Sequence, residues 1–369
     1  MIKLTVLPLL LSLSACTTPY HPPRFMEADA RFPGLIDFVR EAPARTVDVM
    51  LVHGMCTHDA RWAADTVRTL ATALAANTAP APARAAETGT GIEIIPATVR
   101  TPQGEIRFQS LIWSPLTTPL KTQLCYDQTD KSPICQGSEP FQPRRASLNA
   151  RLKDLLLDDC LADAMIYQGA ARGEIQRQMR EAILRATAQT EQSAQSGPPA
   201  PLVVISESLG SKILFDTLND MLDEPAASHA AAAAQRTVDR LGYLNMAANQ
   251  IPTLALADQR LPSPGALAVT AHDSLQRLLL RRRGPALRAA GLARLTVVAY
   301  TDPNDLLSYT LERERYARKD VEVFNVLVSN AGTWFGAFER PDLAHLRYLE
   351  NPDVAGLIGC GQPRSAACR

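Results

Sequence analysis

The stretch from Pro201 to Asp216, Pro-Leu-Val-Val-Ile-Ser-Glu-Ser-Leu-Gly-Ser-Lys-Ile-Leu-Phe-Asp, constrains the fold more than any other part of the chain. Leu202 to Ile205 is a short, partly β-branched apolar run, the composition of a strand buried on both faces of a parallel sheet. Leu209, Ile213, Leu214, Leu218 and Met221 then recur at helical spacing. The period switches across Ser206-Glu207-Ser208-Leu209-Gly210, so a strand must turn into a helix within a few residues. With the further strand-like runs below, this predicts an α/β chain: a mostly parallel central sheet flanked by helices in three layers.

A strand that bends sharply into a helix around a central serine is a nucleophile elbow. The turn strains the central residue and lifts its Oγ above the sheet edge. Positions two before and two after it must be small, or their side chains collide. Gly210 meets this demand, and Ser206 stands where glycine is usual. The helix directs its first amides and positive dipole end at any oxyanion forming beside Ser208, so the amide of Leu209 is a candidate donor. Read alone, the five residues also fit an ordinary serine-rich turn.

The 369 residues are enough for one large α/β domain, and 38 Lys+Arg balance 38 Asp+Glu. No global field therefore argues for nucleic acid. Residues 1–15 have one early charge, Lys3, an apolar run from Leu4 to Leu13, then Ser14-Ala15 before Cys16. This is the layout of a secretory signal, too short for a comfortable membrane span. Leu13-Ser14-Ala15-Cys16 resembles a bacterial lipobox, which implies cleavage before Cys16 and lipid attachment there. With Thr17 and Thr18 following and no aspartate, it implies the outer membrane, facing the periplasm. Acyl chains on Cys16 would anchor the chain at about 0.8 kcal/mol per buried methylene. Pro19, Pro22 and Pro23 make residues 16–40 read as a tether.

Export changes the reading of the six remaining cysteines, Cys56, Cys125, Cys135, Cys160, Cys360 and Cys368. An even count in an oxidising compartment predicts disulfides, but six allow 15 pairings. Cys125–Cys135 and Cys360–Cys368 would each staple a short loop, which would leave Cys56–Cys160. No Cys/His grouping has zinc spacing, and no metal or organic cofactor is expected.

The domain is expected over 41–360, with excursions at 79–90 and 115–145 and a tail at 361–369. Val47 to Val52 reads as a strand followed at once by His53-Gly54-Met55 and a helix bearing Trp62, Val67, Leu70 and Leu74. Gly54 lets backbone approach a substrate, and the Met55 amide is a second candidate oxyanion donor. His53 reads as a structural tie for that loop. Ile92–Val99, Ile106–Trp113, Leu241–Asn245, Leu295–Tyr300 and Val321–Val328 read as further strands.

The elbow gains weight if an acid and then a histidine follow it. Of six histidines, only His345 lies after both the elbow and the Asp302-Pro303-Asn304-Asp305 loop. Both aspartates sit just past a strand. Asp305 is preferred because Asp305-Leu306-Leu307 resembles the aspartate-then-apolar pattern of an acid loop, and Asp302 is the alternative, since it precedes Pro303 and could cap the turn.

Over about Val47 to Gly359, the chain resembles the α/β-hydrolase superfamily. Val52-His53-Gly54-Met55, Ser206-Glu207-Ser208-Leu209-Gly210, Asp302-Pro303-Asn304-Asp305 and Ala344-His345 carry the resemblance, with Ser206 a departure from glycine. It implies a serine esterase or lipase-like enzyme acting on a small-molecule or lipid ester through Ser208, His345 and Asp305. An amidase or peptidase on the same fold, or a non-catalytic envelope lipoprotein retaining the scaffold, would carry the same motifs.

Overall fold

The computed structural model describes residues 16–75, 91–129, 132–137, 139, 141–193, 199–263, 271–283 and 294–368. The excursion expected at 79–90 and the signal at 1–15 lie outside the described residues. No helix among those described is long and apolar enough to cross a membrane.

The strands are β1 (Cys16–Thr17), β2 (Arg24–Phe25), β3 (Thr46–Val52), β4 (Glu93–Thr101), β5 (Gly104–Ile112), β6 (Leu202–Glu207), β7 (Leu241–Ala247), β8 (Leu295–Thr301), β9 (Val321–Leu327) and β10 (Thr333–Trp334). Eight form one sheet in the order β2-β9-β8-β7-β6-β3-β5-β4. β5, β3, β6, β7, β8 and β9 are mutually parallel. β2 and β4 close the two edges antiparallel. The runs Ile92–Val99 and Ile106–Trp113 thus form the β4–β5 hairpin.

The helices are α1 (Leu35–Glu41), α2 (Ala60–Ala73), α3 (Ser114–Lys121), α4 (Ser147–Arg151), α5 (Ala162–Gln168), α6 (Arg172–Ser193), α7 (Leu209–Asp223), α8 (His229–Arg240), α9 (Ile251–Leu254), α10 (Ser274–Arg281), α11 (Arg313–Tyr316), α12 (Pro341–Leu346) and α13 (Pro352–Cys360). A π-helical stretch, Leu152–Leu161, joins α4 to α5. Because strand side chains alternate, the sheet feeds two cores. Val47, Val49 and Leu51 of β3 pack with α1, α2 and α13 on one face. Met50 and Val52 pack on the other face with α6, α7 and α8. The result is three layers, helix on sheet on helix. The charge within β3, Asp48, is buried and paired to Arg107 at 2.7 Å and to Arg240.

Residues 16–40, expected as a tether, are packed instead. β1 pairs with β10, β2 extends the main sheet, and α1 buries Leu35, Ile36, Phe38 and Val39. Two-residue strands carry no readable period, and three prolines dominate the local composition, so the packing was not visible in the pattern. The described part of the tail, 361–368, is also fixed: Phe32 and Gln362 exchange backbone hydrogen bonds, and Cys360 is bonded to Cys368. Cys125–Cys135 and Cys56–Cys160 complete three disulfides. Among its described residues, the 115–145 excursion holds most of α3 and two short 3-10 turns, and Cys125–Cys135 staples it.

The chain leaves β3 toward β5 on one side and β6 toward β7 on the other. The connections therefore diverge beyond the carboxyl ends of β3 and β6. Sheets of this kind open a crevice at such a point.

Candidate active site

The loop after β3 and the turn after β6 meet at this crevice. Ser208 stands between β6 and α7 at φ 50 and ψ −128. A non-glycine residue at positive φ is strained, and such strain concentrates at functional positions. Ser208 is the N-cap of α7, yet its hydroxyl makes no capping bond. The backbone fixes the turn instead, with the Ser208 amide donating to Ala247 O at 2.8 Å.

Two glycines let the segments touch. A Cβ on Gly210 would lie 2.1 Å from the His53 carbonyl oxygen, and one on Gly54 would lie 2.8 Å from Ser208 Cβ. Ser206 is fully buried, and its hydroxyl accepts from Ser211 Oγ at 2.8 Å. That internal bond satisfies the extra oxygen where glycine is usual.

His345, near the end of α12, brings Nε2 to 3.2 Å from Ser208 Oγ. Its Nδ1 lies 3.0 and 2.9 Å from the two carboxylate oxygens of Asp305. Asp305 in turn accepts from the Leu307 amide at 3.0 Å and from Tyr348 Oη at 3.0 Å. The loops after β6, β8 and β9 thus bring serine, acid and histidine together, although Ser208 and His345 are 137 residues apart. All three side chains are buried, and Ser208 keeps 1% of its surface.

Asp302, the alternative acid, makes no hydrogen bond to His345. Its carboxylate accepts from the amides of Asn330 at 2.7 Å and Asn304 at 2.9 Å, and so shapes the loop. Burial raises its pKa. The neighbouring Glu339 is pushed up to about 7 by burial and by the charge on Asp302.

His53 ties its loop down. Its Nε2 accepts from the amides of Trp113 at 2.9 Å and Ser114 at 3.3 Å, which places the proton on Nδ1, donating to Gly54 O at 2.8 Å. The ring stacks on Trp113 with centroids 4.7 Å apart. Burial, then the nearby His58, holds its pKa well below the usual histidine value. His58 is held down to about 4, also by burial. Met55 and Leu209 are both buried. Leu209 opens α7, where an amide has no acceptor within the helix.

Two residues of the site were not singled out by sequence. Tyr348 binds Asp305 and accepts from the Asp302 amide at 2.7 Å, holding both aspartates in register. It lies three residues after His345, which was the available signal. Glu207 is buried next to Ser208, and burial raises its pKa to about 7 against the opposing pull of His345 and the Gly54 amide. Nothing in a strand-end glutamate announces that burial.

A cleft of about 490 Å³ opens between the loop Cys56–Asp59 and the segment Leu346–Glu350, with Trp62, Pro133 and Leu155 among its walls. Its volume is in the range of small-molecule sites. Comparison with protein families, curated proteins and solved structures gives no match.

Proposed function

We propose that the chain is a serine hydrolase of carboxylic esters with the α/β-hydrolase arrangement, lipid-anchored through Cys16 in the cell envelope. The observation that carries this reading is the unbroken relay from Ser208 Oγ through His345 to Asp305, centred on a serine at positive φ.

In the proposed reaction His345 Nε2 takes the proton of Ser208 Oγ as the oxygen attacks the ester carbonyl. Asp305 fixes the Nδ1–H tautomer and stabilises the imidazolium. The amides of Leu209 and Met55 receive the oxyanion, each such donor typically adding about 3–4 kcal/mol in the transition state. His345 then protonates the leaving alkoxide, and an acyl-enzyme remains. Water, deprotonated by His345, attacks the acyl carbon and releases the acid with Ser208 restored. The cleft beside Cys56 and Leu346 is the place for the substrate's apolar portion, small-molecule or lipid.

The near-complete burial of Ser208 favours a second reading, in which the scaffold binds rather than cleaves. A fluorophosphonate probe separates the two, because only an activated serine reacts. Labelling that is lost in Ser208→Ala, together with hydrolysis of short p-nitrophenyl esters, is the expected result. An unlabelled, folded wild-type chain would favour the binding scaffold. Parallel ester and amide substrates distinguish an esterase from an amidase.

A further inference from the structure

Among the described residues, the exposed tryptophan and phenylalanine side chains gather in one turn. Trp334, Phe335 and Phe338 are 61%, 61% and 45% exposed, whereas the other residues of these two types are buried or half-buried. The turn is tight: Trp334 O accepts from the Ala337 amide at 2.9 Å, and the Trp334 amide donates to Phe338 O at 2.7 Å. Phe335 and Gly336 both lie at positive φ, 50 and 67. Glycine suits such a position, but a bulky aromatic is disfavoured there. Asparagine would close the turn at lower cost, so the ring at the tip is kept against local preference.

The base of this turn is joined to the start of the described chain. β10 pairs antiparallel with β1, with Cys16 opposite Trp334 and Thr17 opposite Thr333. The two threonine hydroxyls lie 2.6 Å apart, and the Tyr20 amide donates to Ser329 Oγ at 3.0 Å. The aromatic turn is therefore fixed beside the residue that the lipobox marks for acylation. Aromatic rings are favoured at the membrane–water interface.

We propose that the Trp334–Phe338 turn is a membrane-docking wedge that inserts into the bilayer interface beside the lipid on Cys16. This rests on reading Cys16 as a lipidation site. The turn continues through Glu339 into α12, which carries His345. Glu339 accepts from Asn304 Nδ2 at 2.8 Å and from the Ala331 amide at 3.1 Å, bracing the wedge against the acid loop. Docking would thus orient the histidine side of the site toward lipid.

The test uses the full chain in phosphatidylethanolamine/phosphatidylglycerol vesicles, with or without brominated acyl chains. Brominated lipid is expected to quench a tryptophan component that is absent from Trp334→Phe. In Trp334→Ser/Phe335→Asn/Phe338→Ser, hydrolysis of a water-soluble ester should persist. The mass of the N-terminal peptide reports acylation of Cys16 separately. If Cys16 is unmodified, binding of the chain to added vesicles reads the wedge alone, and the triple variant should bind at least about tenfold more weakly. An acylated, vesicle-bound chain without Trp334 quenching overturns the proposal. So does unchanged vesicle binding by an unacylated triple variant, or self-association through these rings with no response to lipid.

Discussion

Asp305 grips His345 with both carboxylate oxygens, at 3.0 and 2.9 Å from the same ring nitrogen. That geometry fixes the ring's orientation and leaves Nε2 as the face presented to Ser208. Asp302, three residues earlier, spends its carboxylate on the backbone amides of Asn304 and Asn330. The two aspartates of one loop therefore have separable roles, one electrostatic and one architectural.

Asp305→Asn should lower kcat on short esters by about 10⁴, because an amide at this position favours the wrong imidazole tautomer. Asp302→Asn should keep kcat within about tenfold and show its effect as a lower Tm, since a buried amide acceptor is partly lost, at about 1–3 kcal/mol. Kinetics and thermal melts on both variants decide. A larger kcat loss in Asp302→Asn would reverse the assignment.

The two glycines separate fold from chemistry. Gly210→Ala places a Cβ 2.1 Å from a backbone oxygen of His53, which cannot yield without opening the β3 loop. It should cost more than about 4 kcal/mol, an unusually large value for one methyl group. Gly54→Ala meets Ser208 Cβ at 2.8 Å and, at 3.2 Å, Glu207 Cγ and the Glu207 carbonyl oxygen, a milder clash with backbone than at Gly210. This variant should fold and lose about 10²-fold in kcat, the effect of a small misplacement of reacting groups. Urea melts and ester kinetics test it; a Gly210→Ala chain with native stability would sink the steric account.

Much of this architecture was legible because it rests on local period. The apolar run Leu202–Ile205 and the spacing Leu209, Ile213, Leu214 mark β6 and α7, and six further runs mark the other parallel strands or the β4–β5 hairpin. Chain order alone reduced six histidines to His345. What was not legible depends on long-range packing. β1 and β2 are two residues each, stabilised by partners more than 300 residues away, such as Phe25 against Val326. Tyr348 has a role only because α12 turns it back onto the acid loop. The choice between Asp302 and Asp305 likewise rests on side-chain direction, which neighbouring positions in one loop do not encode.

Glu207 should make stability fall as pH rises. It ionises near 4.5 when unfolded and at about 7 in the fold, because burial outweighs the help of His345 and the Gly54 amide. Between those values the folded chain holds a proton that the unfolded chain has released. The stabilisation is full below about 4.5 and is lost as pH passes about 7. Glu207→Gln removes the ionisable group and keeps the shape. Relative to wild type, the variant should gain on the order of 3 kcal/mol between pH 4 and pH 8.5. Urea denaturation of both chains at the two pH values measures this; a difference that does not change with pH would contradict it.

The Cys56–Cys160 disulfide should matter to both stability and rate. It closes 104 residues of sequence, against 10 for Cys125–Cys135 and 8 for Cys360–Cys368. Chain entropy alone gives the long loop about 5 kcal/mol and each short loop about 3 kcal/mol. Cys56 also directly follows Met55, the candidate oxyanion donor, and is held at φ 76. The next residue, Thr57, donates to Asp159 at 2.7 Å, and Asp159 is salt-bridged to the buried Lys121 at 2.7 Å. The covalent and ionic ties therefore fix the same loop to the same helical wall. In Cys56→Ser/Cys160→Ser the ionic tie remains, so the chain should fold, melt lower than Cys125→Ser/Cys135→Ser, and turn over short esters about tenfold more slowly. That loss is smaller than the 10²–10³ that follows deletion of an oxyanion donor, because the Met55 amide is loosened and not removed. An unchanged kcat in the folded double variant would show that Thr57 and Asp159 suffice to hold the loop.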